Sequence, residues 1–142
     1  DERVMVVFFG DHQPSFSADF YNTVIPSDIS HIEKQQRKQM VPFFVWTNYD
    51  TEEEDGVLVG LNALSTIVLE KAGIALPEYM AFLADMRSDV PAMNTYGCYS
   101  NSLSQMIGIG DTVGKDREWL FEYKLLQYNN MFDKKHRAAA FE

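Results

Sequence analysis

The sequence predicts an α/β fold, and three observations carry that prediction. Two short apolar runs, at 4–9 and 41–47, are rich in Val and Phe. Helical periodicity then appears at 60–72 and again from Pro77 onward. A last helical stretch runs from Asp116 to about Phe132. Strands that alternate with one-sided helices bury each other's apolar faces, which is the α/β arrangement.

The first run, Val4-Met-Val-Val-Phe-Phe9, has no polar alternation and reads as a strand covered on both faces. Gly10 breaks it, and Pro14 prevents a simple continuation. Between them stand Asp11 and His12. Successive strand residues face opposite ways, so these two side chains converge only if the backbone turns at Gly10. A carboxylate oxygen beside an imidazole nitrogen is a ligand pair suited to Zn²⁺ or Mn²⁺. In open α/β sheets, ligands bind beyond the carboxyl ends of strands, where this pair falls.

Ser15 is a good N-cap for a short helix that places Phe16 and Phe20 four apart. Residues 27–40, with Ser27 or Asp28 as cap, read as a solvated helix or loop. The second buried strand is Val41–Thr47, with Trp46 expected in the core. Asn48 and Tyr49 follow it directly. Loops after strands carry function in this architecture, so both are candidate substrate-binding residues. Thr51–Gly56 is an acidic connecting loop.

Leu61, Leu64, Ile67 and Val68 share one face of the third helix, with Gly73 as its C′ residue. Pro77 opens a fourth helix, in which Met80, Leu83 and Met86 fall three apart. Residues 88–115 are punctuated by Pro91, Gly97, Gly108, Gly110 and Gly114, and should hold at most one or two short strands. Gly108-Ile-Gly-Asp-Thr-Val-Gly114 lacks the Gly-Lys-Ser/Thr ending of a phosphate loop and is read as a turn. Asp116 is expected to cap the last helix, which buries Trp119, Leu120, Tyr123 and Leu126. His31 and His136 lie among charged residues and should be exposed. Cys98 has no catalytic partner nearby and reads as a small buried residue.

Composition sets the bounds. The chain has 142 residues, enough for one domain, and 46% are hydrophobic, enough for a core. With 21 acidic against 12 basic residues the net charge is −9. The only basic cluster is Lys134-Lys-His-Arg137, so electrostatic binding to nucleic acid is excluded. One cysteine rules out an intrachain disulfide. No run is apolar enough to cross a membrane. The start on Asp1, almost at a strand, is expected to be a cut from a longer protein.

Phe9-Gly-Asp-His-Gln-Pro14, then Val41-Pro-Phe-Phe-Val-Trp-Thr-Asn-Tyr-Asp50, then Leu126-Gln-Tyr-Asn129 occur in that order. Together they resemble the lipoteichoic acid synthase-like phosphoglycerol transferases. These are bacterial enzymes of the sulfatase branch of the alkaline phosphatase superfamily. Val41 stands where that family usually has Thr, a conservative change in a strand. The resemblance covers nearly the whole chain but only the C-terminal part of the family's catalytic domain.

The resemblance implies that residues 1–142 are one domain, a C-terminal piece of a sulfatase/alkaline-phosphatase-like sheet flanked by helices. It implies a metal-dependent phosphoglycerol transferase that takes its donor from phosphatidylglycerol and builds or decorates an envelope polymer of the glycerophosphate type. Asp11 and His12 would be two ligands of one divalent cation, Mn²⁺ or Mg²⁺, with Zn²⁺ as the other choice. The nucleophilic Thr and a Glu ligand would lie upstream, so no catalytic residue falls in this chain and it would be inactive alone. Upstream transmembrane segments would hold the enzyme at the extracytoplasmic face of the bacterial membrane. Gln127-Tyr-Asn129 is read as the packed end of a helix. A sulfatase acting on sulfate esters, or a non-catalytic envelope binding domain of the same fold, are the alternatives. Removing the strand's natural neighbours should leave apolar surface exposed, so self-association into a homo-oligomer is also expected.

Overall fold

A computed structural model describes residues 2–133 and 135–141. Lys134, in the basic cluster, and Asp1 lie outside the described residues. In chain order the elements are β1 (Met5–Phe9), α1 (Ala18–Val24), α2 (His31–Arg37), β2 (Phe43–Thr47), α3 (Leu61–Ala72), α4 (Glu78–Asp89), β3 (Gly97–Ser100), β4 (Gln105–Gly108) and α5 (Gly114–Phe132). The fold is mixed α/β, with these helices set beside two small antiparallel sheets.

β1 pairs with β2 in a register that runs from Met5↔Thr47 to Phe9↔Phe43. The antiparallel sense puts the carboxyl end of β1 beside the start of β2. The chain returns between them through α1 and α2. Ser17 caps α1 by accepting from the Phe20 amide at 3.3 Å, and Ser30 caps α2 by accepting from the Glu33 amide at 3.1 Å. Both helices therefore start two or more residues later than Ser15 and Ser27 suggest. In each case the working hydroxyl sits three residues before the amide it serves.

The core cluster is drawn from residues 63–123. Ala63 of α3, Leu83 and Met86 of α4, Cys98 of β3, and Leu120 and Tyr123 of α5 form one buried cluster. Gly73 ends α3 in the left-handed region at φ 70°, as a C′ glycine should. Leu61, at the first turn of α3, points to solvent, and Thr66 takes a buried place on that helix instead. Its hydroxyl is satisfied by the Ala63 carbonyl at 2.7 Å. Residues 88–115 do contain two short strands, β3 and β4, which form a hairpin with register Gly97↔Gly108.

Three expectations are corrected. First, Trp46 is not in the core: it shares an open face of the β1–β2 ribbon with Val6, Phe8 and Phe44, the four being 53, 47, 56 and 54% exposed. That face is the exposed apolar surface the sequence leads one to expect. No element among the described residues packs on that side of the ribbon, so Trp46 is a surface residue and not part of the core. Second, Asp116 does not cap α5. The helix starts at Gly114, and Asp116 is buried in its first turn, where it accepts from the Ser100 hydroxyl at 2.5 Å. That bond pins the β3–β4 hairpin to α5. Third, Leu126 is only half-buried, and Phe121, Leu125, Tyr128 and Phe132, spaced 4, 3 and 4 apart, face solvent along α5.

Candidate functional site

The segment Gly10–Pro14 leaves β1 at the end where β2 begins. The Gly10 amide donates to the Pro42 carbonyl at 3.1 Å, which extends the pairing by one step. A Cβ at position 10 would stand 2.8 Å from the Cβ of Val41. Only glycine allows that approach, and it is here that the chain turns.

The turn brings Asp11 and His12 together. One Asp11 oxygen, Oδ1, accepts the His12 amide at 2.9 Å and closes a small loop. The other, Oδ2, lies 3.5 Å from His12 Nε2, and the two side chains are 81 and 79% exposed. His12 Nδ1 is 3.1 Å from the Gln13 carbonyl oxygen. A carbonyl can only accept, so this contact is a hydrogen bond in the Nδ1–H tautomer, in which the Nε2 lone pair beside Asp11 is free.

This donor set fits a divalent cation. Two ligands about 2.1 Å from one tetrahedral ion stand about 3.4 Å apart, close to the spacing found between Asp11 and His12. Hydrogen bonding of Nδ1 to a backbone carbonyl is the usual partner of a histidine that ligates through Nε2. Among the described residues no group of three or more His, Cys, Asp and Glu converges, so Asp11 and His12 stand as a pair without a third such side chain beside them.

Asn48 and Tyr49 are at the opposite end of the same ribbon, about 17 Å of strand away. Asn48 Oδ1 accepts the Val4 amide at 2.8 Å, its Nδ2 donates to the Glu2 carbonyl at 2.9 Å, and its own amide donates to the Val4 carbonyl at 3.1 Å. The Arg3 guanidinium stacks 3.9 Å from the Tyr49 ring centroid. The pair ties the start of β1 to the end of β2, and the fold does not bring it to Asp11 and His12.

The other candidates are placed as follows. His31 and His136 are exposed. Cys98 is wholly buried, and burial with the nearby Asp116 charge pushes its thiol up to about 11, far from a nucleophile. Gly108–Gly114 is a strand end and a short 3₁₀ turn, Ile109–Asp111. In Gln127-Tyr-Asn129, Tyr128 is exposed. Asn129 donates to the His136 carbonyl and accepts the Ala138 amide, both at 2.7 Å, so it is the residue that packs.

A feature not visible in the sequence is a cleft of about 790 Å³ between the acidic loop and α3, α4 and β3, with Lys71, Arg87, Tyr99 and Asn101 in its wall. Its cations are already occupied. Lys71 Nζ bonds the Glu52 carbonyl at 2.7 Å and the Glu54 carboxylate at 3.1 Å, and Arg87 bonds Glu70 at 2.7 Å. The cleft has no charge to spare for a phosphate.

No family model matches this chain, and no solved structure does. A protein of Rhizobium meliloti (strain 1021) with the provisional name cyclic beta-1,2-glucan modification protein is 24% identical over 156 aligned positions. The alignment takes in 99% of this chain and 23% of that relative, so the chain spans about a quarter of the relative's length. No helix among the described residues is long and apolar enough to cross a membrane.

Proposed function

We propose that this chain is the ligand-bearing C-terminal part of a metal-dependent phosphoglycerol transferase of the bacterial envelope, working at the extracytoplasmic face of the membrane. Phosphatidylglycerol is the donor, and a hydroxyl of a glucan or a glycerophosphate polymer is the acceptor. The glucan enters because the relative is named for glucan modification, and attaching phosphoglycerol to a glucan hydroxyl is such a modification. One observation carries the reading: Asp11 Oδ2 and His12 Nε2 face each other at 3.5 Å on an exposed turn that Gly10 makes possible.

Asp11 and His12 hold the cation, Mn²⁺ or Mg²⁺, with Zn²⁺ as the other choice. Bound there, it neutralises phosphate charge and lowers the pKa of an attacking hydroxyl. This chain's own residues bind and orient. The Gln13 carbonyl holds His12 in the Nδ1–H form, and Asp11 Oδ1 fixes the turn through the His12 amide. Asn48 and Tyr49 remain a proposed contact for a long substrate at the far end of the ribbon.

The test uses the gene product that contains this segment and phosphatidylglycerol vesicles, with release of diacylglycerol as the readout. Activity that needs a divalent cation and falls at least a hundredfold in Asp11→Ala and His12→Ala supports the reading. Full activity in either variant overturns it. Hydrolysis of aryl sulfates in place of lipid turnover assigns the site to sulfate esters, and glucan binding without turnover of either assigns the non-catalytic domain.

A further inference from the structure

We infer that Gln13 is the positioning residue of the Asp11–His12 pair, anchoring the turn to α2 and presenting His12 Nε2 to the cation. The inference rests on the reading of Asp11 and His12 as ligands.

Gln13 works at both ends. Its side-chain Nε2 donates to the Arg37 carbonyl at 3.2 Å and to the Met40 carbonyl, which lie at and just beyond the end of α2. The Arg37 carbonyl at the end of α2 also accepts the Met40 amide at 3.4 Å, and one amide NH₂ has two hydrogens to give, one for each of the two carbonyls. The main-chain carbonyl of the same residue receives His12 Nδ1. One residue thus couples the end of α2 to the ring of His12.

The turn is held on either side of the pair. Gly10 is tied to Pro42, and the Pro14 carbonyl accepts the Tyr21 hydroxyl at 3.4 Å. Between these ties only the Gln13 amide reaches inward, while Asp11 and His12 stay exposed. Without that anchor the Gln13 carbonyl is free to swing away from Nδ1. A free imidazole favours the Nε2–H tautomer, which would put a proton where the cation binds. A carboxylate at position 13 cannot substitute, because it has no hydrogen to give and would face two carbonyls at the negative end of a helix.

The experiment is ¹⁵N NMR of the His12 ring in this chain at a pH where the ring is neutral, with Gln13→Ala and the same-sized Gln13→Glu. The unaltered chain should show the Nδ1–H tautomer, and both variants should move toward Nε2–H with far-UV circular dichroism unchanged. Mn²⁺, followed by broadening of the Asp11 and His12 amides, should bind the variants about tenfold or more weakly, the range for loss of such an outer partner. Retention of Nδ1–H in both variants overturns the positioning role even if Mn²⁺ binds. Retention in Gln13→Glu alone also overturns it, because the amide donor is then not what matters. Mn²⁺ that broadens neither Asp11 nor His12 in the unaltered chain overturns the ligand reading, whatever the tautomers do.

Discussion

Phe8 and Phe44 stack across the β1–β2 ribbon with ring centroids 5.2 Å apart, yet each leaves more than half of its surface to solvent. Val6 and Trp46 form the next cross-strand pair on the same face and are about half exposed, at 47 and 53%. A contiguous apolar face of this kind, on a sheet of only two strands, favours association. The chain is therefore expected to self-associate through it. Light scattering should show a dimer or larger, and Phe8→Asp should reduce its size. A monodisperse monomer over a wide concentration range would contradict this.

Gly10→Ala should destabilise the ribbon by about 1–3 kcal/mol, the usual cost of forcing an extra methyl into a filled space. The Cβ would meet Val41, a β-branched side chain on the backbone of the facing segment, with little room to give. Urea titration followed by Trp46 fluorescence reads the change. Pairing Gly10→Ala with Val41→Ala should recover part of the loss.

Asp89 should govern part of the acid stability. The Lys115 ammonium and the Trp119 indole N–H, both 2.8 Å from Asp89 Oδ2, hold its carboxyl below the usual carboxylate range. A depressed folded-state pKa means stabilisation that is present above the unfolded-state value and lost as pH falls through the folded one. Thermal melts from pH 6 downward should show wild type losing stability below about pH 4, the ordinary carboxylate range. Asp89→Asn should be less stable at pH 6 and flatter through that window. Equal slopes would mean that Asp89 contributes nothing.

The isolated chain should turn over neither aryl phosphate nor aryl sulfate esters. Asp11 and His12 stand on an exposed turn with no third His, Cys, Asp or Glu converging on them among the described residues, and the chain's one thiol, Cys98, is buried with a raised pKa. Turnover abolished by Asp11→Ala would show that these residues complete a site by themselves.

The local parts of this molecule are legible from neighbours in the chain. Gly73 closes α3, Pro77 precedes α4, Leu83 and Met86 are buried at helical spacing, and Gly10 turns β1 so that Asp11 meets His12. Each depends on φ/ψ preference or on side-chain period, which act over a few residues. Caps failed by small steps: Ser17 serves α1 in place of Ser15, and Asp116 is taken up in a buried bond with Ser100 inside the first turn of α5.

Tertiary structure decided the rest. Gln13 finds its partners 24 and 27 residues away, and Asn48 ties to Glu2 and Val4 46 and 44 residues away. No periodicity records such a pairing. Trp46 and Phe8 show the same limit from the other side. Their apolar character belongs to the sequence, whereas their burial depends on whether another surface arrives to cover them, and the ribbon supplies each with a cross-strand partner but no cover.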